Sequence, residues 1–177
     1  DTRHTLWGKY EKNKFKNYGS LNGLNNLAGF HAFITDFCMF GSENGKVNGL
    51  AAYGNSNPNL EKKISKFIRT SKNGVTFIRK RFEKTRPDIN KFKMDGYTRS
   101  FLNRQPYKTN IFKLCSGYLV EDVAATGEKV LQKYTLDLIR KIKQKTKLDN
   151  IVFSGGVFNN VKLNQIIQES RIFKNNF

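Results

Sequence analysis

The sequence predicts an α/β fold, and three observations near its C-terminal end carry that expectation. An amphipathic pattern runs from Glu121 to Lys147, with Val123, Val130, Leu131, Tyr134, Leu138 and Ile142 on one face and Lys and Arg opposite. A short apolar run, "NIVFS" from Asn150, then reads as a strand. Gly155-Gly156 follows and leads into a second helical stretch from about Asn159 to Ser170. Helix, strand, tight glycine turn and helix form an α/β unit.

Earlier elements follow in order. Leu24, Leu27, Phe30, Ile34 and Phe37 recur every three to four residues and mark a helical face. Gly41 punctuates it, and Gly45, Gly49 and Gly54 predict loop or tight-turn geometry for the next stretch. "NLEKKISKFIR" predicts a short basic helix with Asn59 at its N-cap and Lys62 in place of a capping-box acid. Asn73-Gly74 precedes "VTFIRKRF", in which Val75, Phe77 and Arg79 alternate with Thr76, Ile78 and Lys80. Asn-Gly is the favoured type I′ pair, so a β-hairpin is predicted there. The stretch from residue 83 to residue 113 reads as mostly irregular. Asp122 near the start of the long helix complements the positive end of its dipole.

A chain of 177 residues suits one domain with a substantial core. Fifteen Phe and seven Tyr within a 38% hydrophobic composition point to a globular chain rather than a disordered one. No apolar run reaches the roughly 20 residues of a membrane span, and the polar start "DTRHTLWGKY" has no signal-peptide core. Cys38 and Cys115 belong to no CxxC or Cys/His cluster, so they read as small, reduced, buried hydrophobes in a cytoplasmic protein. His4 and His31 lack metal-ligand spacing, which argues against a metal site made by this chain alone. The start at Asp1 and the end at "RIFKNNF" suggest a piece of a longer protein.

Charge is the loudest compositional signal, with 32 Lys+Arg against 14 Asp+Glu. Such a field attracts phosphate-bearing partners, nucleic acid included. A basic RNA-binding module is therefore one reading, with Arg79, Lys80 and Arg81 in its most basic segment. Lys, Asn, Ile and Phe are abundant throughout, however, and general composition bias accounts for the charge better than a dedicated nucleic-acid surface.

Two stretches are site candidates. Strand, Gly155-Gly156 and helix is the arrangement in which a phosphate or nucleotide approaches backbone N–H groups, since no Cβ blocks the way. A purely structural glycine turn has the same appearance. In "GKVNGLAAYG", Gly45 to Gly54, Lys46 stands between glycines as a phosphate-binding lysine would, although GxxxxGK[ST] is not met. A glycine-rich loop with one solvated lysine is the alternative.

Together the two stretches resemble the carbamoyltransferase family that includes nodulation-factor and antibiotic O-carbamoyltransferases. Gly45 to Gly54 is similar to that family's Gly-Lys-Val-Met-Gly-Leu-Ala-x-Tyr-Gly, with Asn48 in place of Met. "GGVFNNVKLN", Gly155 to Asn164, is similar to its Gly-Gly-Val-Ala-Leu-Asn-x-x-x-Asn, with Asn160 and Asn164 on the two asparagines. Between them Asp122, Ala124 and Ala125 match an Asp-Ile-Ala-Ala-x-x-Gln helix, which Gly127 interrupts at about 1 kcal/mol.

The resemblance spans most of the chain and implies an actin-like ATPase (ribonuclease H-like) domain, incomplete here, with a hairpin-containing middle segment. It implies ATP and carbamoyl phosphate as substrates, carbamoyl adenylate as intermediate, and a small-molecule hydroxyl as acceptor. It also implies a nucleotide-binding set of Lys46, Gly49, Gly54, Gly155, Gly156 and Asn160. The family's first phosphate motif, its metal ligands and its C-terminal adenylate-forming domain have no counterpart in these residues. The chain is thus expected to need the rest of a longer chain, or a complementary subunit, for catalysis. Half of another actin-like ATPase or kinase is a further reading.

Overall fold

The computed structural model describes residues 5–21, 26–40, 43–71, 74–77 and 114–176. It begins with a hairpin that glycine-based turn signals do not announce. Strands β1 (Thr5–Glu11) and β2 (Lys14–Leu21) pair antiparallel, with Glu11 opposite Lys14. The connecting Lys12 and Asn13 both have positive φ, 49° and 60°, which is the condition of a two-residue type I′ turn. Register shifts at Trp7/Gly8, where Tyr18 is the extra residue. This bulge brings the Trp7 and Tyr18 rings edge to face at 6.0 Å, and the Lys145 ammonium lies 5.2 and 5.1 Å from their centroids.

Helix α1 (Leu27–Phe37) follows, capped by Asn26, whose Oδ1 accepts from the Gly29 N–H at 2.8 Å. Its buried face holds Leu27, Phe30 and Ile34 as the spacing predicts, with Phe37 half-buried beside them; Leu24 lies outside the described residues. The next stretch corrects the sequence reading. Residues Asn44–Ala51, expected as loop, form helix α2. Gly45 and Gly49 each cost a helix about 1 kcal/mol relative to Ala. Burial of Val47, with Leu50 and Ala51 packed on the same core, offsets that cost. Tertiary packing wins over propensity here.

Helix α3 (Pro58–Ser65) brings a second correction: the N-cap is Asn57, not Asn59. Pro58 takes the first helical position, where its missing N–H is no loss, and Asn57 Oδ1 accepts from the N–H groups of Asn59 and Leu60 at 3.0 and 3.1 Å. The helix also stops before Arg69, because residues from Ile68 onward pair as a strand. Strands β3 (Ile68–Ser71) and β4 (Gly74–Phe77) form the predicted hairpin, with Val75 and Phe77 buried and Thr76 between them half-buried. The register sets Ser71 opposite Gly74, so Gly74 (φ 131°) starts the strand rather than occupying the centre of the turn. Asn73, Ile78, Arg79, Lys80 and Arg81 lie outside the described residues, as does the stretch expected to be irregular.

Helix α4 (Val120–Thr146) is the long amphipathic helix the sequence predicts. Glu121 and Asp122 occupy its first turn and Lys143 and Lys145 its last, both matching the dipole. Val123, Val130, Leu131 and Tyr134 are buried along its core face, and α1, α2, α3 and β4 all pack there. Beyond Lys147, whose φ of 58° ends the helix, Lys143 Nζ donates to the Leu148 carbonyl at 2.6 Å and to Asp149 Oδ1 at 2.8 Å. Hydrogen bonds from Lys143 and Lys174 hold the Asp149 carboxyl below its ordinary range.

The expected strand "NIVFS" shrinks to β5 (Asn150–Ile151), which pairs parallel with β6 (Asn175–Asn176). A 3-10 turn (Gly156–Asn159) and helix α5 (Val161–Glu169) follow, so the second helix forms where expected. Its Leu163 and Ile167 make a second core with Ile139 and Phe173. Among the described residues, no helix is long and apolar enough to cross a membrane.

Gly127 explains how closely α1 and α4 approach. A Cβ there would lie 2.8 and 2.9 Å from Ile34 Cγ2 and Cγ1, inside contact distance. Gly127→Ala should therefore lower unfolding free energy by roughly 1–3 kcal/mol, despite alanine's better helix propensity. Ile34→Ala should cost less in the Gly127→Ala chain than in wild type, because it relieves the clash. A G127A chain at least as stable as wild type in urea melts would contradict the close packing.

Burial pushes the Cys38 and Cys115 thiols from an ordinary 9.0 up to about 12, with Cys38 adding to the effect at Cys115. The folded chain keeps both neutral while the unfolded chain ionises, so stability should fall as pH rises from 9 towards 12. Both thiols should resist a disulfide reagent at pH 8 until denaturant is added; rapid labelling of the folded chain would overturn their burial.

Candidate functional site

The glycine turn is built from backbone geometry upward. Gly155 has φ 112° and ψ 162°, a conformation that L side chains rarely adopt. Gly156 differs: its φ is not positive, and nothing among the described residues lies within 4 Å of where its Cβ would sit. Backbone strain thus accounts for one glycine, and neither strain nor crowding accounts for the other. Both are exposed.

Everything below this exposed surface is fastened. The Phe158 N–H donates to the Gly155 carbonyl at 3.0 Å, and Asn164 Nδ2 donates to the Phe158 carbonyl at 2.7 Å. Val157 packs into both apolar cores, and the Phe153 and Phe158 rings lie 4.6 Å apart. Asn160 is 3% exposed and serves two partners. Its Oδ1 caps α5 by accepting from the Leu163 N–H at 3.0 Å. Its Nδ2 donates to Glu128 Oε1 and Oε2 at 2.8 and 2.9 Å. The structure therefore places Asn160 under the turn, as its support.

The other stretch divides into an outer face and a packed end. On α2, Lys46 and Gly49 are exposed, and Lys46 pairs with Glu43 one turn away. Gly45 and Gly49 have no described atom near their would-be Cβ positions, whereas a Cβ on Gly54 would collide with the Glu121 carbonyl on α4. Gly54 thus has a packing role of its own, where the chain crosses the start of α4. Asn55 and Asn57 secure that crossing by donating their N–H groups to Asp122 Oδ1 (2.7 Å) and Thr126 Oγ1 (2.9 Å). Lys46 and Gly49 share no hydrogen bond or ion pair with Gly155, Gly156 or Asn160 among the described residues. Helix α1 connects the two groups by packing on both α2 and the 3-10 turn. His31 reinforces the first contact, with Nε2 2.8 Å from Asn48 Oδ1.

An open cleft of about 790 Å³ lies beside the turn, lined by Phe153, Phe158, Asn164, Arg171 and Lys174 among others. Aromatic faces next to two cations suit a planar ligand carrying negative charge. Among the described residues no group of His, Cys, Asp or Glu could hold a metal ion. Sequence reading missed Glu128 and the His31–Asn48 contact: both join residues distant in sequence, and no local pattern separates Glu128 from other polar residues of α4.

The family model described as Carbamoyltransferase N-terminus matches residues 14–177. No curated protein matches the chain.

The two glycines should respond differently to alanine. Gly155→Ala should cost roughly 1–3 kcal/mol of stability because its φ of 112° and ψ of 162° fall in a region essentially restricted to glycine, whereas Gly156→Ala should fall within about 0.5 kcal/mol of wild type. Equal losses in denaturant melts would show that Gly156 is also a structural requirement.

Proposed function

The chain belongs to the carbamoyltransferase N-terminus family, and on that premise we propose that it carries the nucleotide-facing part of an ATP-dependent O-carbamoyl transfer site on an actin-like ATPase scaffold. One observation carries the reading: Gly156 sits at an exposed strand–turn–helix junction where no described residue requires a glycine. A ligand approaching the backbone would require one. In this reading Gly155 and Gly156 lie against the adenosine and α-phosphate, with Asn160 holding the turn from beneath. Lys46 faces phosphate or the carbamoyl adenylate from α2, where Gly49 keeps the helix surface clear.

The chemistry in this reading has two stages. Water converts carbamoyl phosphate to carbamate and phosphate, and a carbamate oxygen then attacks the α-phosphorus of ATP, releasing pyrophosphate and forming carbamoyl adenylate, a mixed anhydride. An acceptor hydroxyl oxygen then attacks the carbamoyl carbon, the bond from that carbon to the AMP phosphate oxygen breaks, AMP leaves and the hydroxyl proton is lost. Negative charge develops on the attacked carbonyl oxygen, which oriented N–H donors and a cation stabilise. The described residues do not fit a metal site, so no step here is assigned to a metal. The cleft beside the turn, with its phenylalanines and cations, suits the aromatic and anionic parts of an adenylate.

Calorimetric titration of the 177-residue chain with ATP and with a non-hydrolysable carbamoyl adenylate analogue tests the proposal. Saturable binding is expected, abolished by Gly156→Val and weakened roughly tenfold by Lys46→Ala. Competition by carbamoyl phosphate separates a carbamoyltransferase from a kinase or chaperone half. Binding that both substitutions leave unchanged would overturn the assignment.

A further inference from the structure

We propose that Glu128 is a positioning residue that sets the orientation of the Gly155-Gly156 turn by locking the side chain of Asn160. The inference concerns residues beyond the nucleotide-binding set and rests on the reading of that turn as nucleotide-facing.

Asn160 ends the 3-10 turn and starts α5, so its orientation is shared by both. A carboxylate is an acceptor only. Glu128 therefore accepts the Nδ2 side of Asn160, at 2.8 and 2.9 Å, and repels the Oδ1 side. With Nδ2 held there, Oδ1 is directed to the Leu163 N–H at the first turn of α5. A reversed amide would set oxygen against carboxylate and leave that N–H without its cap. Glu128 thus selects the one amide orientation in which the turn and the helix are joined.

The neighbours of Glu128 support this role. Gln132 Nε2 donates to Glu128 Oε1 at 2.9 Å and holds the carboxylate in place from one helical turn away. Lys129 and Lys133 are both turned to Glu61, so the adjacent cations pair elsewhere. Asn160 is nearly sealed from water, which makes an amide without its partner costly. The turn above it is exposed on its upper side and depends on contacts from below.

Four variants of the full chain decide the matter: E128A, E128Q, N160D and the double variant N160D/E128Q. ATP affinity and amide hydrogen exchange over residues 156–163 are read for each. E128A should weaken ATP roughly tenfold and speed exchange across the turn, while E128Q, which keeps an acceptor, should remain near wild type. N160D sets two carboxylates face to face and should lose at least as much as E128A. E128Q in the N160D background restores a donor–acceptor pair with its direction reversed, and should recover both affinity and protection. Equal losses for E128A and E128Q, with no rescue in the double variant, would overturn the inference. If the wild-type chain does not bind ATP, the nucleotide reading falls and hydrogen exchange alone judges Glu128. Faster exchange in E128A but not in E128Q then sustains it, and unchanged exchange in E128A refutes it.

Discussion

Gly127 lets α1 lie so close to α4 that Ile34 fills the space a side chain would need, and much of the remaining structure depends on that contact. With α1 held there, His31, one helical turn before Ile34, meets Asn48 of α2. That packing turns Val47 inward and leaves Lys46 and Gly49 outside. Helix α4 also carries the chain at both ends of this arrangement. Near its start, Gly54 crosses the α4 backbone and Asp122 accepts the Asn55 N–H. One residue past Gly127, Glu128 reaches Asn160 and thereby the glycine turn. A single helix so positions two stretches more than a hundred residues apart in sequence.

Legibility in the sequence followed the length and regularity of the pattern. Helix α4 was readable because seven turns of consistent apolar spacing leave little ambiguity. The β3–β4 hairpin was readable from the alternation of Val75 and Phe77 with Thr76. Helix α2 was not, because Gly45 and Gly49 weaken it locally and it is stabilised by contacts with α1 and with the distant α4. The cap of α3 was misplaced by two residues, although Pro58 after Asn57 is a helix-start signal that a reading centred on Asn59 overlooks. The β1–β2 hairpin turns on Lys12-Asn13, a pair that lacks the usual glycine. At the candidate site, Gly155 and Gly156 stand out in the sequence, but the half-buried contact of Asn160 with the Glu128 carboxylate does not. A hydrogen bond spanning 32 residues leaves no local periodicity to detect.

The large positive charge also looks different in three dimensions. Lys145 stacks over Trp7 and Tyr18, Lys143 joins the end of α4 to Asp149, and Lys129 and Lys133 meet Glu61. Several lysines of α4 thus hold elements together, each with a modest contribution at an exposed site. Arg171 and Lys174, the latter also paired with Asp149, line the cleft beside the glycine turn.

The account turns on whether a nucleotide meets the backbone at Gly155-Gly156. Following the backbone amide resonances of the full chain during an ATP titration measures this most directly. The account predicts saturable shifts centred on residues 155–160, with smaller ones near Lys46. Largest shifts on the β1–β2 hairpin or on α3, or no saturable shift at the turn, would contradict it.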